Sequence, residues 1–196
     1  MSDTPDLRLP PEDAPVTRRG RLLVASPVLR DPNFARAVVL MLEHSADGAL
    51  GLVLNRPLDL RVHDAVPSPL CDLMDEDAVI HGGGPVQPEA LIVLADHLLP
   101  EEAATLVVGT VGIIDPRSAA EDMPQMLRRA RAFGGYAGWS DGQLEGEIAE
   151  GAWIDVEAEP DDVFTDDHEG LWGRVVARKG GGYRIVAQMP DDPTLN

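Results

Sequence analysis

The chain of 196 residues is long enough for one sizeable globular domain, and its hydrophobic fraction of 44% is ordinary for such a domain. Its formal net charge of −18 argues against direct binding to nucleic acid, because that binding draws most of its affinity from cations set against phosphates. No apolar run approaches the roughly 18 residues that a membrane-spanning helix needs, so we expect no membrane association.

The first twenty residues, MSDTPDLRLPPEDAPVTRRG, are rich in proline and have no apolar core, so they do not resemble a signal peptide. We expect a disordered arm over residues 1–19, a single domain over 20–189 and a tail over 190–196. The single cysteine, Cys71, provides no disulfide framework and no cysteine-based zinc site. These features together predict a cytoplasmic protein.

Three apolar runs near the N-terminus predict β-strands. They cover residues 22–25, 38–42 and 49–54, are rich in valine and leucine, and are bounded by turn residues. The second and third runs should form a hairpin, because Asp47-Gly48 can supply the positive φ of a tight turn. All three runs are apolar on both faces, so other parts of the chain must cover both sides of the sheet.

The remaining elements alternate irregularly between strands and helices. Further strands are predicted at 78–81, 89–95, 105–114, 136–139 and 153–156, and helices at 62–66, 123–133, 141–150 and 169–179, with residues 163–164 in a loop. Gly180 to Gly182 should end the last helix. The order predicts an α/β, α+β-like fold, a compact sandwich with a mixed β-sheet and helices packed on it.

The helix at 123–133 is predicted from the spacing of its apolar residues. Met123, Met126, Leu127, Ala130 and Phe133 would share one helical face. Asp122 is a candidate N-cap and Gly134 can close the C-terminus.

The segment from Asp141 to Gly170 is strongly acidic and contains no lysine or arginine. Its acids are Asp141, Glu145, Glu147, Glu150, Asp155, Glu157, Glu159, Asp161, Asp162, Asp166, Asp167 and Glu169. A solvated surface is the simpler interpretation, and a docking surface for a basic partner is the alternative.

Residues 138–142, Gly-Trp-Ser-Asp-Gly, match the G-x-S-x-G nucleophile elbow of hydrolases, and Asp161 and His168 could complete a triad with Ser140. The competing interpretation is a capping box, in which Ser140 and Gln143 cap the acidic helix. Trp139 and Trp153 bracket that helix and should anchor it to the sheet, with a stacking platform for a ligand ring as the alternative.

Other candidate sites are weaker. Residues 82–85, Gly-Gly-Gly-Pro, follow a predicted strand and could form a backbone nest for an anion, although close packing explains these glycines equally well. His44, at the end of a predicted strand, should orient the hairpin turn or contact a ligand. The five histidines are scattered, so we predict no metal site.

The chain resembles the YqgE/AlgH family of bacterial proteins over roughly residues 20–175. The matching pieces occur in the family's order at residues 22–27, 31–34, 38–44, 48–57, 82–86, 135–139, 142–145, 147, 153 and 171–172. The resemblance implies a compact α/β architecture with mixed sheets, no established enzymatic activity and no cofactor. Members are often labelled transcriptional regulators, which fits poorly with a charge of −18 and no basic helix. The family's usual Gly-Trp-(Gly or Ala)-Pro-Gly-Gln-Leu-Glu needs no hydroxyl at position 140, which favours capping by Ser140 over catalysis.

The sequence therefore favours a non-enzymatic factor that binds a protein or a small ligand, with any regulatory role indirect. A small-molecule hydrolase that uses Ser140 is the alternative hypothesis. The candidate binding surface consists of His44, Asn55, Gly83, Gly84, Trp139, Gln143 and Glu147, with no catalytic residue, metal or cofactor assigned.

Overall fold

A computed structural model describes residues 17–29, 31–103, 105–114 and 123–189 of the chain. The strands in these ranges are β1 Arg21–Ala25, β2 Val38–Ser45, β3 Gly48–Val53, β4 Pro57–Arg61, β5 Val79–Gly82, β6 Val86–His97, β7 Leu106–Val108, β8 Val111–Ile114, β9 Leu127–Ser140 and β10 Trp153–Glu157. The α-helices are α1 Val62–Ala65, α2 Gln143–Ala149, α3 Pro160–Val163, α4 His168–Arg178 and α5 Tyr183–Val186. None of these helices is long and apolar enough to cross a membrane.

The strands form a mixed sheet in which most neighbours are antiparallel. Its main path runs β10-β1-β2-β3-β9-β6-β8-β7, and β4 with β5 forms a ribbon beside it. β5 pairs in parallel with β9, which makes the sheet mixed. The predicted α+β-like fold with a mixed sheet and packed helices is confirmed.

The first strands are buried on both faces, as their apolar runs predict. β1 directs Leu22 and Val24 into one core and Leu23 and Ala25 into another, because successive side chains of a strand point to opposite faces. Residues of α4 cover the first core, where Trp172 also donates from its indole Nε1 to the Ala25 carbonyl over 2.8 Å. Leu144 of α2 covers part of the second core.

The predicted hairpin is formed by β2 and β3. Ser45 pairs with Gly48 at its end, so Ala46 and Asp47 form the turn. Gly48 has a φ of +134°, and a Cβ at this position would lie 2.4 Å from the Trp139 carbonyl oxygen. Glycine is needed here both for its backbone conformation and for the close approach of β9.

The predicted helix at residues 123–133 is wrong. Met123–Met126 forms a 3₁₀ turn, and β9 then runs for 14 residues as the longest described strand. Ala130 and Ala132 pack into a core on one face, while Phe133 packs into a different core. This alternation has the period of a strand, and hydrogen bonding to β3, β5 and β6 stabilises the extended form. Asp122, the candidate cap, lies outside the described residues.

The predicted strand at residues 105–114 is two strands. β7 and β8 form a short hairpin through Gly109 and Thr110, and Gly109 has a φ of +53°. The apolar run is continuous in sequence, but this glycine allows the chain to reverse.

The other predicted helices are present with small changes. Helices lie close to the positions expected for 62–66, 141–150 and 169–179. Residues 163–164 are not wholly loop, since Val163 ends α3, and α5 follows the glycine-rich break after α4. The predicted tail lies outside the described residues, as does all of the predicted N-terminal arm except residues 17–19.

Candidate functional site

Glu147 is the centre of a hydrogen-bonded cluster that attaches α2 to the sheet. Its Oε2 accepts from the indole Nε1 of Trp139 over 2.9 Å and of Trp153 over 2.7 Å. Its Oε1 accepts from the Gln143 amide nitrogen over 2.9 Å. Both tryptophans are buried, with Phe34 stacked on Trp139 and edge-on to Trp153. The prediction that Trp139 and Trp153 anchor the acidic helix is confirmed.

The contacts of Ser140 are local and involve Gln143. The Gln143 carbonyl Oε1 accepts from the Ser140 backbone N–H over 3.2 Å and from its hydroxyl over 3.1 Å. The N-cap of α2 is Gly142, and the Ser140 hydroxyl does not accept from the helix backbone. Only one half of the capping box is formed: the Gln143 side chain bonds to the Ser140 backbone N–H, but the Ser140 hydroxyl does not bond to the backbone of α2.

The residues of the hypothetical triad contact different partners. The carboxylate of Asp161 pairs with Arg129, and His168 contacts His81. Ser140 is bonded to Gln143. Within the described chain, no hydrogen bond or ion pair joins Ser140, Asp161 and His168 to one another. The structure therefore gives the hydrolase hypothesis no support.

His44 lies at the end of β2 and bonds through both ring nitrogens. Its Nδ1 accepts from the Arg18 backbone N–H over 3.1 Å, so the ring proton lies on Nε2, which is 2.7 Å from the Glu145 carboxylate. Burial acts to raise the pKa of Glu145, but its own backbone amide and His44 outweigh this effect and lower it. The bond joins the β2–β3 hairpin to α2.

Two open grooves meet at His44. One, of about 490 Å³, runs along the hairpin beside Trp139, and the other, of about 630 Å³, lies between the hairpin turn and α2. We call this pair the hairpin grooves. Their walls include the acidic residues Glu43, Asp47, Asp141 and Glu145. Arg18 and Arg19 are the cations among the lining residues.

Gly83 and Gly84 lie inside the sheet, where β9 passes close to them. The Gly83 N–H donates to the Gly134 carbonyl over 2.8 Å, so it does not point into an open nest. A Cβ on Gly84 would lie 2.2 Å from the backbone of Tyr136. Close packing explains both glycines, and it separates their backbone from the hairpin grooves.

Asn55 is also apart from the hairpin grooves, and only 6% of its surface is exposed. Its Oδ1 accepts from the Val38 N–H over 3.0 Å and its Nδ2 donates to the Arg36 carbonyl over 2.9 Å. It borders a different cleft, together with Arg56 and His168. The structure thus brings His44, Trp139, Gln143 and Glu147 around one end of the hairpin and leaves Asn55, Gly83 and Gly84 elsewhere.

The acidic segment is largely matched by arginines from other parts of the chain. Ion pairs join Asp155 to Arg18 and Arg21, Glu145 to Arg18, Asp161 to Arg129, Asp166 to Arg131, Asp167 to Arg174, and Glu159 and Asp162 to Arg178. Much of this segment is therefore bonded within the protein instead of forming a free acidic face.

One cluster in the described chain has metal-ligand composition. Single ligand atoms of His63, Cys71 and Asp72 lie within 4.8 Å of one another. Burial and the neighbouring Asp72 carboxylate raise the pKa of the Cys71 thiol, and the Asp72 carboxylate already accepts from the Ser68 hydroxyl over 2.5 Å. A protonated thiol is a poor metal ligand.

Comparison with known proteins identifies the family. A sequence profile described as AlgH-like matches residues 22–184. The chain belongs to the AlgH-like family. A UPF0301 protein of Streptomyces coelicolor is 45% identical to it over 185 residues, which cover 90% of this chain and 94% of that protein. A UPF0301 protein of Streptomyces avermitilis is 44% identical with the same coverage.

Solved structures of two other proteins share the fold of this AlgH-like chain. The solution structure of AlgH from Pseudomonas aeruginosa aligns with a TM-score of 0.65 and 30% identity, covering 91% of this chain and 97% of that one. A crystal structure of a Corynebacterium diphtheriae protein aligns with a TM-score of 0.79 over 87% of this chain and 91% of that one; at 24% identity it supports the fold alone. The predicted membership in the YqgE/AlgH family is confirmed.

One contact that the sequence did not predict in this AlgH-like chain joins buried His81 to half-buried His168. Their Nε2 atoms are 2.8 Å apart, and His81 is 3% exposed. Desolvation by burial, followed by the positive charges of Arg131 and His168, lowers the pKa of His81 to about 3. His168 is the first residue of α4, and burial lowers its pKa as well. No spacing rule links two histidines that are 87 positions apart.

Proposed function

We propose that this AlgH-like protein is a non-enzymatic binding factor that docks a basic segment of a protein partner in the hairpin grooves. Any regulatory role would then be indirect, through that partner, and the protein would act in the cytoplasm. The observation that carries the proposal is the meeting of two grooves at His44, with acidic side chains along their walls.

The chemistry of the grooves favours a cationic occupant. Glu43 and Asp47 project from the hairpin and are exposed, and Asp141 is exposed beside α2. Unlike the acids that pair with arginines, these three have no ion pair with a lysine or arginine of the described chain. A lysine or arginine of a partner would pair with them and would be attracted by the overall charge of −18.

The residues around α2 have distinct parts in this proposal. His44 and Trp139 line the grooves directly. Gln143 and Glu147 hold α2 and thereby fix one wall. Mutation of exposed groove acids is therefore a cleaner test than mutation of Trp139, which would also loosen α2.

The test is affinity capture with a charge-reversed hairpin. Glu43→Lys with Asp47→Lys should abolish capture of the partner, because both changes place a cation in the groove. The matched control is Asp59→Lys with Glu89→Lys, which makes the same change in net charge at exposed positions on β4 and β6. An identical partner set for wild type and the hairpin variant, with both folded by circular dichroism, would contradict the proposal.

A second measurement separates binding from hydrolysis. A fluorophosphonate probe should give no labelling that disappears in Ser140→Ala. Labelling that depends on Ser140 would replace this proposal with the hydrolase hypothesis.

A further inference from the structure

A cleft of about 410 Å³ lies between the segment that follows β3 and the first turn of α4. Its walls include Asn55, Arg56, Pro57 and His168, with Trp172 at its base and Arg36 beside it. We call it the Arg56 cleft. A volume of this size falls within the range of small-molecule sites in proteins, about 300–1,000 Å³.

Arg56 is an unusual cation in this acidic protein. Most other arginines of the described chain pair with carboxylates: Arg18, Arg21, Arg61, Arg128, Arg129, Arg131, Arg174 and Arg178. Arg56 donates only to backbone carbonyls, to that of Asn55 over 3.1 Å and to that of Ala35. No carboxylate of the described residues forms an ion pair with it, and burial lowers its pKa. Its charge is held in place but is not neutralised.

The surroundings of Arg56 are fixed before any ligand arrives. Asn55 accepts from the Val38 N–H and donates to the Arg36 carbonyl, so the segment that carries Arg56 is held against the start of β2. The Arg36 guanidinium lies 3.9 Å from the Trp172 ring centroid, and the Trp172 indole is itself bonded to the Ala25 carbonyl. A binding group that is already held in position loses less entropy when a ligand binds.

The charge in the Arg56 cleft is opposite to that of the whole chain. Arg36 and Arg56 line it, and Glu169 is the acid among the lining residues; His168 also lines it, but burial lowers the pKa of that ring and so disfavours its charged form. The chain as a whole carries 34 acidic and 16 basic residues. The guanidinium group presents a planar set of donors that matches carboxylate and phosphate oxygens.

We propose that the Arg56 cleft binds a small organic anion through its carboxylate or phosphate oxygens. Arg56 supplies the principal contact, and Arg36 and His168 border the bound anion. This site is separate from the hairpin grooves and does not depend on the proposed function.

The test is a titration of the whole protein with sodium phosphate and with sodium succinate, followed by ¹H–¹⁵N NMR, with sodium chloride at matched ionic strength as the blank. At least one of the two anions should cause saturable shifts of the amides of Asn55, Arg56 and His168. The anion that saturates identifies phosphate or carboxylate as the recognised group. No saturation with either anion, shifts that chloride reproduces, or shifts confined to other regions would overturn the proposal.

A matched pair of variants assigns the binding to Arg56. Arg56→Gln should weaken the affinity by roughly tenfold or more, since it removes a charge-assisted contact. Arg61→Gln removes the same charge from an exposed arginine of β4 that pairs with Asp64, and it should leave the affinity within about twofold. Equal affinities of the two variants would overturn the proposal. If Arg56→Gln does not fold, Arg56→Lys replaces it; unchanged affinity in that variant counts against recognition by the guanidinium fork.

Discussion

At the scale of single residues, Glu147 is a carboxylate that has no cationic partner within the described part of the chain. Its two oxygens accept from two indoles and one amide, so neutral donors alone stabilise the charge. Removal of the carboxylate would leave the partly buried N–H groups of Trp139 and Trp153 without their acceptor. An unsatisfied buried donor costs more than the net value of the hydrogen bond that it made.

We expect Glu147→Ala to lower the free energy of unfolding by about 2–3 kcal/mol, because it removes an acceptor from two indoles at once. Urea denaturation followed by tryptophan fluorescence measures the change. Glu150→Ala, at an exposed position just after α2, is the control and should shift stability by less than about 0.5 kcal/mol. Equal effects of the two changes would show that the cluster does not anchor α2.

Buried His81, in contact with half-buried His168, predicts a dependence of stability on pH. Burial, Arg131 and His168 lower the pKa of folded His81 to about 3, whereas a histidine in the unfolded chain titrates near 6.5. The unfolded chain therefore binds more protons between these values, so this contribution to stability is complete above pH 6.5 and is lost as the pH falls toward 3.

We expect wild type to lose roughly 2 kcal/mol more than His81→Gln between pH 8 and pH 5, because glutamine cannot take up the proton. Denaturation of both proteins at the two pH values measures the difference. His63→Gln, at an exposed histidine, should behave as wild type. The account of His81 fails if His81→Gln is as sensitive to acid as the wild type.

Residue-scale contacts differ in how far the sequence could predict them. The anchoring of the acidic helix by Trp139 and Trp153 was predictable, because large aromatic residues flank a short helix within fifteen positions. The contact of His81 with His168 was not, because it depends on how β5 and α4 pack across the fold. The same is true of Arg56: that it lacks a carboxylate partner among the described residues depends on the folded positions of the acids.

At the scale of elements, the β2–β3 hairpin is positioned by its glycine as much as by its apolar residues. Gly48 pairs with Ser140, the last residue of β9, and any side chain at Gly48 would collide with the Trp139 carbonyl. The hairpin end, α2 and β9 therefore meet at one fixed point, which is where the hairpin grooves lie.

We expect Gly48→Ala to destabilise the protein by roughly 2 kcal/mol or more, since it combines an unfavourable positive φ with a backbone collision. Gly146→Ala is the matched control, because a Cβ there would meet nothing within 4 Å. In the exposed middle of α2, alanine should instead stabilise by about 0.5–1 kcal/mol. Thermal denaturation of both variants checks the prediction, and the same sign of change in both would refute it.

Sequence patterns predict some of the strands but not the first half of β9. The short strands β1, β2, β3 and β10 were predictable, since each is an apolar run with turn residues at its ends. The first half of β9 was not, because Met126, Ala130 and Phe133 fit a helical face while Ala130 and Ala132 fit a strand. Pairing with β5 and β6 favours the extended conformation over the helix, and this pairing exists only in the folded sheet.

At the scale of the whole molecule, the distribution of charge organises the surface. A net charge of −18 suggests an evenly acidic protein, but arginines from β1, β9 and α4 pair with much of the acidic segment. Among the described charges without an ion pair are the exposed acids Glu43, Asp47 and Asp141 at the hairpin grooves and the cation Arg56 in its cleft. The family resemblance predicted the architecture, but the sequence did not show which charges stay unpaired.

The two proposals together give this protein two separate binding regions. The hairpin grooves suit a basic protein segment, and the Arg56 cleft suits a small anion. Ser140, which the hydrolase hypothesis needs, is bonded to Gln143, whereas His168 is bonded to His81.

Site-specific photo-crosslinking in cells shows directly whether a protein partner docks in the hairpin grooves. A photoreactive residue in place of Ala46, at the hairpin turn, should give a discrete adduct with one protein. The adduct should disappear when Glu43→Lys and Asp47→Lys are added. The same photoreactive residue in place of exposed Asp59 should give no such adduct. A failure to crosslink from position 46, or an adduct that persists after the charge reversal, would contradict the account.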